Sequence, residues 1–267
     1  MGASSWKRLL RCATGVGALL APGLLVHHGP GKNTLPMALR DVPLPDVVYT
    51  RLLPDRDTVL TTKYHVDAGR WQRELASRGL DLPEGTLGSV DGWIRLSRAD
   101  LLLLADSTPT QRGAMDLLWY SLAWGLGSRA PRLDARLDAV AKDPQRVAEL
   151  VAGAWTLTRD GANPAVCYAA LLTSRGRPRV SWLGGAFATK VLYFAHGTQT
   201  APRNLILDSV VADKLRPIAW ETAPTTAWWP DTYQTYCDLM SRWAGEASER
   251  AGRSVEADEI EGALFLT

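Results

Sequence analysis

Lys190 and Asp208 are the two residues whose types and spacing could carry out chemistry. Both lie in the stretch from Trp182 to Leu215, where Lys190 falls on a predicted short helix that also presents Phe187 and Phe194 on the lysine's face. An ammonium group that is packed against aromatic rings and removed from water loses its proton more readily, and a neutral amine is a nucleophile. Asp208 ends an apolar run and begins the next helical pattern, so a carboxylate follows the amine at a fixed interval.

Each residue also has a purely structural interpretation. A lysine beside aromatic residues commonly lays its stem on the rings and keeps its charge in water. An aspartate at the start of a helix commonly caps the first backbone amides. Spacing alone leaves both interpretations open.

The segment resembles the helix-hairpin-helix DNA glycosylases, and most closely their 8-oxoguanine glycosylase branch, including its archaeal members. That family has a hairpin that ends in Gly-x-Lys, followed after an apolar stretch by an essential aspartate. Residues Ala188, Thr189, Lys190 and Val191 match the end of the hairpin, and Asp208 comes eighteen residues after the lysine. The resemblance implies that Lys190 is the nucleophile and that Asp208 is its acidic partner.

The resemblance covers residues 110–216 and is absent before about residue 90. It departs from the family at the hairpin, where the two glycines of a Gly-hydrophobic-Gly pattern are replaced by Ala186 and Ala188, and a Gly184-Gly185 pair comes earlier. In this family two helical lobes form a cleft, in which a duplex is bent and one nucleotide is turned out into a pocket. The implied partner is therefore double-stranded DNA with a flipped base.

The chemistry that the resemblance implies is the removal of a damaged or modified base, with an 8-oxoguanine-type purine as the substrate class. Breaking the N-glycosidic bond develops positive charge on the sugar, which the carboxylate of Asp208 would stabilise. Attack of Lys190 on C1′ would displace the base and form a Schiff base, which permits strand cleavage by β-elimination. A glycosylase without lyase activity would use the aspartate and water, and it would need no lysine.

Contacts to the DNA backbone are expected at the hairpin, because the first amides of a helix point at phosphate without an internal partner. The candidate residues are Gly184, Gly185, Ala186, Ala188 and Thr189. Just upstream, Arg177 and Arg179 with Arg175 make a compact basic patch that could reach the same strand, although a solvated loop explains the arginines equally well.

Tryptophans are the expected material of the base pocket, since flipped bases stack on aromatic rings. The chain has 11 of them, and most tryptophans are core anchors, so the choice is a hypothesis for each residue. The candidates are Trp119, Trp124, Trp228 and Trp229.

Composition excludes several classes of site. The net charge of +2 is too small for binding by a global positive field, so DNA contacts must come from local clusters. Cys12, Cys167 and Cys237 stand far apart, which argues against a zinc site, a disulfide framework or a four-cysteine cluster. His27 and His28 have no further ligand at a metal-like spacing. We expect neither a metal nor another cofactor.

The sequence predicts a mostly helical, all-α fold of the helix-hairpin-helix glycosylase type with a short irregular N-terminal lobe. Residues 1–36 are an extension, interpreted either as a targeting segment or as the product of an upstream start codon. Residues 37–95 form the irregular lobe, in which 41–57 have the proline-cut pattern of extended connections or edge strands. Residues 96–267 form the helical glycosylase-like domain, with predicted caps at Thr108, Asp143 and Asn163.

We expect a monomer without a membrane segment that acts on the nucleoid in the cytoplasm. Two other hypotheses remain open at the level of sequence. One is a non-catalytic DNA-binding module that kept the fold and lost base chemistry, which the replaced hairpin glycines favour. The other is a defence effector that excises modified bases from foreign DNA by the same mechanism.

Overall fold

The structure is a computed structural model that describes residues 42–52, 55–221 and 224–266. The N-terminal extension, with Cys12, His27 and His28, lies outside the described residues. The described chain is an array of helices with one small two-stranded sheet, which confirms the mostly helical fold. None of the described helices is both long and apolar enough to cross a membrane.

The elements follow one another in a simple order along the chain. The helices are α1 Asp46–Tyr49, α2 Arg56–Thr61, α3 Ala68–Ala76, α4 Thr86–Ser89, α5 Arg98–Leu104, α6 Gln111–Leu126, α7 Leu133–Ala141, α8 Pro144–Arg159, α9 Pro164–Leu171, α10 Gly185–Phe194, α11 Ser209–Leu215, α12 Pro230–Ala251 and α13 Ala257–Leu266. The strands are β1 Lys63–Asp67 and β2 Trp93–Ser97, and a 3-10 turn, Gly127–Arg129, follows α6.

Residues 41–57 differ from the sequence-based expectation. Their described part contains α1 and the start of α2, so the interpretation as extended connections or edge strands is wrong there, whereas residues 42–45 before α1 are non-helical with an extended Pro45. Pro43 and Pro45 precede the helical turns of α1, where a missing N–H does no harm. Pro45 is the N-cap of α1, and the Asp55 side chain caps α2 by accepting a hydrogen bond from the Thr58 amide at 2.8 Å.

The strands β1 and β2 form an antiparallel ribbon that the sequence did not predict. His65 pairs with Arg95, and Asp67 pairs with Trp93. The buried side of the ribbon, with Val66 at its centre, packs in the same core as α6. The opposite side, which includes His65 and Arg95, is exposed.

Polar caps start the helices that build the scaffold, largely where the sequence predicts them. Ser97 and Asp100 form a capping box at α5, while Asp143 and Asn163 accept amide hydrogen bonds at the starts of α8 and α9. The cap of α6 is Thr110 rather than Thr108, since its hydroxyl accepts the Gly113 amide at 3.0 Å.

Helix α10 lies where two hydrophobic cores meet. One core gathers α9, α11, α12 and α13 and receives Ala188 and Leu192 from α10. The other gathers α3, α5, α6, α7 and α8 and receives Val191 and Phe194. A helix that is apolar on nearly all sides is held from both directions. The side chains of α10 therefore have little freedom to move.

Candidate active site

Lys190 is buried on α10, with only 5% of its surface exposed. Its Nζ atom donates to Asp208 Oδ2 at 3.0 Å and to the Ala186 carbonyl oxygen at 3.3 Å. Of the lysines in the described part of the chain, it is the one classed as buried. The structure thus brings together the two residues that the sequence singled out, as a close ion pair.

Helix α6 provides the space for the lysine stem. A methyl group placed on Gly125 would lie 2.7 Å from Cδ and 3.0 Å from Cε of Lys190, well inside normal contact distance. The same position is 3.7 Å from the ring of Phe187. The stem therefore runs across a bare patch of backbone beside an aromatic ring.

Asp208 is the N-cap of α11. Its Oδ1 atom accepts hydrogen bonds from the amides of Val210 at 3.1 Å and Val211 at 3.2 Å, while Oδ2 faces Lys190. Burial by itself would raise the pKa of Asp208, but the adjacent lysine ammonium and the amide hydrogen bonds outweigh burial and hold the pKa below its usual value. The structural and the chemical interpretations of this aspartate are therefore compatible, since each oxygen has a separate partner.

The chain before Asp208 is an irregular buried segment whose carbonyl groups are bonded to side-chain hydroxyls. The hydroxyl of Tyr233 donates to the Leu205 oxygen at 2.9 Å, and that of Tyr236 donates to the Ile206 oxygen at 2.7 Å. Thr189, which is next to Lys190 on α10, bonds the Leu207 oxygen at 3.1 Å and accepts the Leu207 amide at 3.2 Å. Because no sheet or helix satisfies these groups, the hydroxyls hold the segment in place. Thr189 links the lysine helix directly to the residue before Asp208.

His196 fixes the loop between α10 and this segment. Its Nε2 atom lies 3.0 Å from the amides of both Arg203 and Asn204, so it acts as an acceptor. Burial, together with repulsion from Arg203 and Arg159, lowers the pKa of His196 to about 4. The ring is therefore neutral near pH 7, and its role is to hold the loop rather than to carry charge at the end of α10.

A layer of buried charges lies against the other side of α10. Arg98 pairs with Glu261 at 2.6 Å, and its guanidinium lies 5.1 Å from the centre of the Tyr193 ring. The hydroxyl of Tyr193 donates to Asp258 at 2.9 Å, and Asp258 also pairs with Arg56 at 3.0 Å. These contacts join α13 to α2, α5 and the lysine helix. They fix the rotation of α10 and with it the direction of Lys190.

The residues predicted to contact DNA at the hairpin divide into two groups. Gly184 caps α10 and, with Gly185 and Ala186, stands at its start. Ala188 and Thr189 are buried inside the first turns, and the Ala188 amide is already bonded to the Gly184 carbonyl at 3.1 Å. A direct DNA contact by the side chains of Ala188 or Thr189 is therefore ruled out by burial. Gly185 is also buried, so the half-buried Gly184 and Ala186 are the predicted residues of the hairpin that reach the surface.

The arginine patch forms an exposed turn between α9 and α10. A bridge between Leu172 and Pro178 closes the turn, and Gly176 packs its backbone against the carbonyl of Trp228. The guanidinium of Arg179 donates to the Ala169 oxygen at 3.1 Å, whereas the Arg177 side chain is exposed. The patch thus lies beside the loop that packs on the start of α10.

The four candidate pocket tryptophans lie in different surroundings. Trp119 and Trp228 are completely buried in the two cores, which argues against base stacking by either ring. Trp124 is enclosed between Tyr64 and Phe194, at ring distances of 5.2 and 5.3 Å. Trp229, which is 38% exposed at the N-cap of α12, is the one candidate of the four whose ring can meet a ligand.

An open groove of about 430 Å³ runs between the β-ribbon and the end of α6. We call it the cationic groove, since three exposed basic residues are among its lining residues, which include Lys63, Tyr64, His65, Ser128, Arg129 and Pro131. Within the described ranges these three basic side chains form no ion pair. Leu126 also lines the groove, and it follows Gly125, the residue that packs on the Lys190 stem.

Sequence reasoning missed three parts of this site. Gly125 left a signal, because an isolated glycine inside a helical pattern often marks a close approach. Trp182 was not considered for the pocket, although it is 48% exposed and stands just before α10. The hydroxyls of Tyr233 and Tyr236 left no signal, since their partners are carbonyl groups in a distant loop.

Comparison with known proteins agrees with this geometry. Residues 57–265 match the family described as "Putative 8-oxoguanine DNA glycosylase OGG-like protein". No curated protein and no solved structure matched the chain. The family match begins within α2, so the expectation that the resemblance is absent before about residue 90 is wrong, and the ribbon belongs to the matched region. Since the match spans most of the chain, the protein belongs to this OGG-like family of DNA glycosylases.

Proposed function

We propose that the protein excises a damaged or modified base from double-stranded DNA and then cleaves the strand through a Schiff base on Lys190. The observation that carries the proposal is the buried pair of Lys190 Nζ and Asp208 Oδ2 at 3.0 Å. A purely structural lysine at a protein surface would keep its charge in water, whereas this one is enclosed at the meeting point of two cores.

The reaction begins when the neutral Lys190 amine attacks C1′ of the target nucleotide. The N-glycosidic bond breaks, and the base leaves with the bonding electrons and takes up a proton. The amine nitrogen then passes a proton to O4′ as the C1′–O4′ bond breaks with its electrons going to O4′, so the sugar ring opens and a protonated imine to C1′ remains. Removal of a proton from C2′ expels the 3′ phosphate by β-elimination, and water finally releases the enzyme.

Asp208 supports this reaction in two ways. As a carboxylate it stabilises the positive charge that develops on the sugar as the base departs. Its Oδ2 atom is also the acceptor next to the Lys190 Nζ atom, so it can take a proton from the ammonium before the attack and pass it to the departing base, which restores the carboxylate. The two amide hydrogen bonds to Oδ1 keep the carboxylate in the same position while its partner changes.

The DNA would follow the basic and amide-bearing surfaces around α10. These surfaces are the start of α10 at Gly184 and Ala186, the turn with Arg177 and Arg179, and the cationic groove. Phosphate contacts of this kind position a duplex without reading its sequence. Access of a sugar to the buried amine requires that the target nucleotide leave the stack, so we propose that the target base is flipped out of the duplex. We also propose that the enzyme acts as a monomer.

An 8-oxoguanine-type purine is the proposed substrate class. The support is the family match. Cleavage of such a base from the organism's own DNA would be repair, and cleavage from foreign DNA would be defence, with the same chemistry at Lys190.

Borohydride trapping is the experiment that tests this function. The protein is incubated with duplexes that carry 8-oxoguanine, uracil, an abasic site or no lesion, and a reduced imine appears as a covalent protein–DNA product. We expect trapping on the 8-oxoguanine and abasic duplexes, loss of trapping in Lys190→Gln, and a large decrease in Asp208→Asn. Asparagine can still cap α11, so this change removes the charge and preserves the helix start.

Lys214→Gln is the matched control, because Lys214 lies on α11 and forms no part of the buried pair. It should trap as well as the unaltered protein. If Lys190→Gln traps DNA as well as the parent, the Schiff-base route is wrong. If the parent binds all four duplexes and yields neither adduct nor free base, the non-catalytic DNA-binding module is the better description.

A further inference from the structure

Trp182 has an unusual combination of exposure and backbone conformation. Its φ angle is +67°, in the left-handed region that bulky residues rarely adopt, and the residue is 48% exposed. A tryptophan at such a position gains little from burial, while its backbone is strained. Packing therefore does not explain why an aromatic residue occupies this site.

The strained positions of the fold gather at the start of α10. Among the described residues four non-glycine residues have a positive φ, namely Ala130, Arg132, Trp182 and Ala227. Ala130 and Arg132 belong to the loop between the 3-10 turn and α7, and the guanidinium of Arg132 lies 5.4 Å from the centre of the Trp182 ring. Ala227 precedes Trp228, whose ring lies against Gly185. Such strain concentrates at ligand sites, where the surrounding structure maintains it.

A second aromatic residue, Phe187 in the first turn of α10, repeats this arrangement. The guanidinium of Arg136, one turn after Arg132, lies 4.5 Å from the centre of the Phe187 ring. Burial and the nearby Arg132 charge lower the pKa of Arg136, and its Nε atom is buried without a partner in the described chain. Phe187 also borders the contact of Gly125 with the lysine stem. The two cation–π contacts, Arg132 with Trp182 and Arg136 with Phe187, therefore run from the surface toward Lys190.

We propose that Trp182, supported by Arg132, is a stacking platform for a nucleobase of the DNA strand that carries the target nucleotide. One face of the ring holds the guanidinium, and the exposed remainder of the residue can receive the flat face of a base. The Arg132 charge orients the ring by a cation–π contact and lies where a phosphate would be attracted. A base removed from its neighbours when the duplex bends would regain stacking on Trp182. This inference rests on the proposed action on DNA.

The test uses a duplex with a tetrahydrofuran abasic analogue, which cannot react, and 2-aminopurine in turn on each side of it. Affinity is measured by fluorescence anisotropy, and 2-aminopurine emission reports stacking. Trp182→Ala should raise Kd by about tenfold, because base–aromatic stacking is lost. The same variant should also abolish the change in 2-aminopurine emission on binding. Trp182→Phe should retain most of both signals.

Two controls separate stacking from folding. Trp93→Ala removes a tryptophan that is 60% exposed on the β-ribbon, and it should leave Kd and emission unchanged. Trp182→Gly should melt at a higher temperature than Trp182→Ala, since glycine tolerates the left-handed backbone, yet it should bind DNA equally weakly. Equally weak binding by two variants of different melting temperature would show that the missing ring, and not a destabilised loop, causes the loss of affinity.

The possible results distinguish the platform from the proposed function. If the parent traps DNA through Lys190 but Trp182→Ala keeps the parental Kd and emission change, the platform is overturned and the glycosylase remains. If the parent binds none of the duplexes, both proposals fall. A tenfold higher Kd in Trp93→Ala would also overturn the platform, because the loss of affinity would not be specific to Trp182.

Discussion

Gly125 and Lys190 approach each other so closely that no side chain larger than hydrogen fits between them. A methyl group on Gly125 would meet Cδ of the lysine at 2.7 Å and Cε at 3.0 Å. The atoms in conflict belong to a flexible stem, and they lead directly to the Nζ atom that bonds Asp208. The size of one residue on α6 therefore determines the position of the amine on α10.

Replacement of Gly125 by alanine should reduce the reaction and spare the fold. The stem would have to move aside, and the helix preference of alanine over glycine, about 1 kcal/mol, would offset part of the cost in stability. A displaced amine, however, loses its alignment, and we expect the rate of trapping to fall by roughly 10- to 100-fold. Single-turnover trapping and a thermal melt measure the two effects.

Gly153→Ala is the control for this prediction. Gly153 lies inside α8, and a methyl group there would meet nothing within 4 Å. This variant should be slightly more stable and fully active. Equal trapping rates in both variants would contradict the positioning role of Gly125.

Thr189→Val should loosen the connection between the amine and the carboxylate. Valine has nearly the same shape but cannot bond the amide and carbonyl of Leu207, which would leave both groups buried and unsatisfied. We expect a loss of about 1–3 kcal/mol in the free energy of unfolding, measured by urea denaturation. Thr235→Val is a control, since the Thr235 hydroxyl bonds a carbonyl within an exposed part of α12. A loss of the same size in both variants would show that the Leu207 contact is not special.

The sequence predicted that Lys190 and Asp208 act together because their types and interval match the pattern of a recognisable family, and the structure places the two side chains 3.0 Å apart. The helices with polar caps, such as Asp143 at α8, were predictable because a cap is a local signal. The β-ribbon was not, since β1 and β2 are separated by α3 and α4 and gain their stability by pairing with each other. The contact of Gly125 with Lys190 was equally hidden, because it depends on how two distant helices pack. Local patterns thus select candidate reacting groups, whereas tertiary packing determines their positions.

His196 should make the fold sensitive to acid. Its pKa is about 4 in the folded protein and 6.5 in the unfolded chain, so below pH 6.5 the unfolded state binds the additional proton first. The contribution to stability is complete above pH 6.5 and decreases as the pH falls toward 4, by a total on the order of 3 kcal/mol. His196→Gln can retain an acceptor for the Arg203 and Asn204 amides without titrating, so its urea midpoint should depend less on pH in this range. His65→Gln, at an exposed position, should keep the parental pH dependence. The same pH dependence in His196→Gln and the parent would contradict this assignment.

The cationic groove should account for part of the salt dependence of DNA binding. Each phosphate that a basic side chain neutralises contributes about −0.9 to the slope of log K against log salt concentration, because counterions are released. If Lys63 and Arg129 each contact one phosphate, the double change to glutamine should make the slope shallower by roughly 1.8 and weaken binding most at low salt. Lys142→Gln with Arg146→Gln removes the same charge from residues that do not line the groove, so the parental slope should remain. Anisotropy titrations with an undamaged duplex at several salt concentrations provide both slopes. If the two double variants have the same slope of log K against log salt concentration, the effect depends on net charge and not on the position of the charges. The DNA would then not follow the cationic groove.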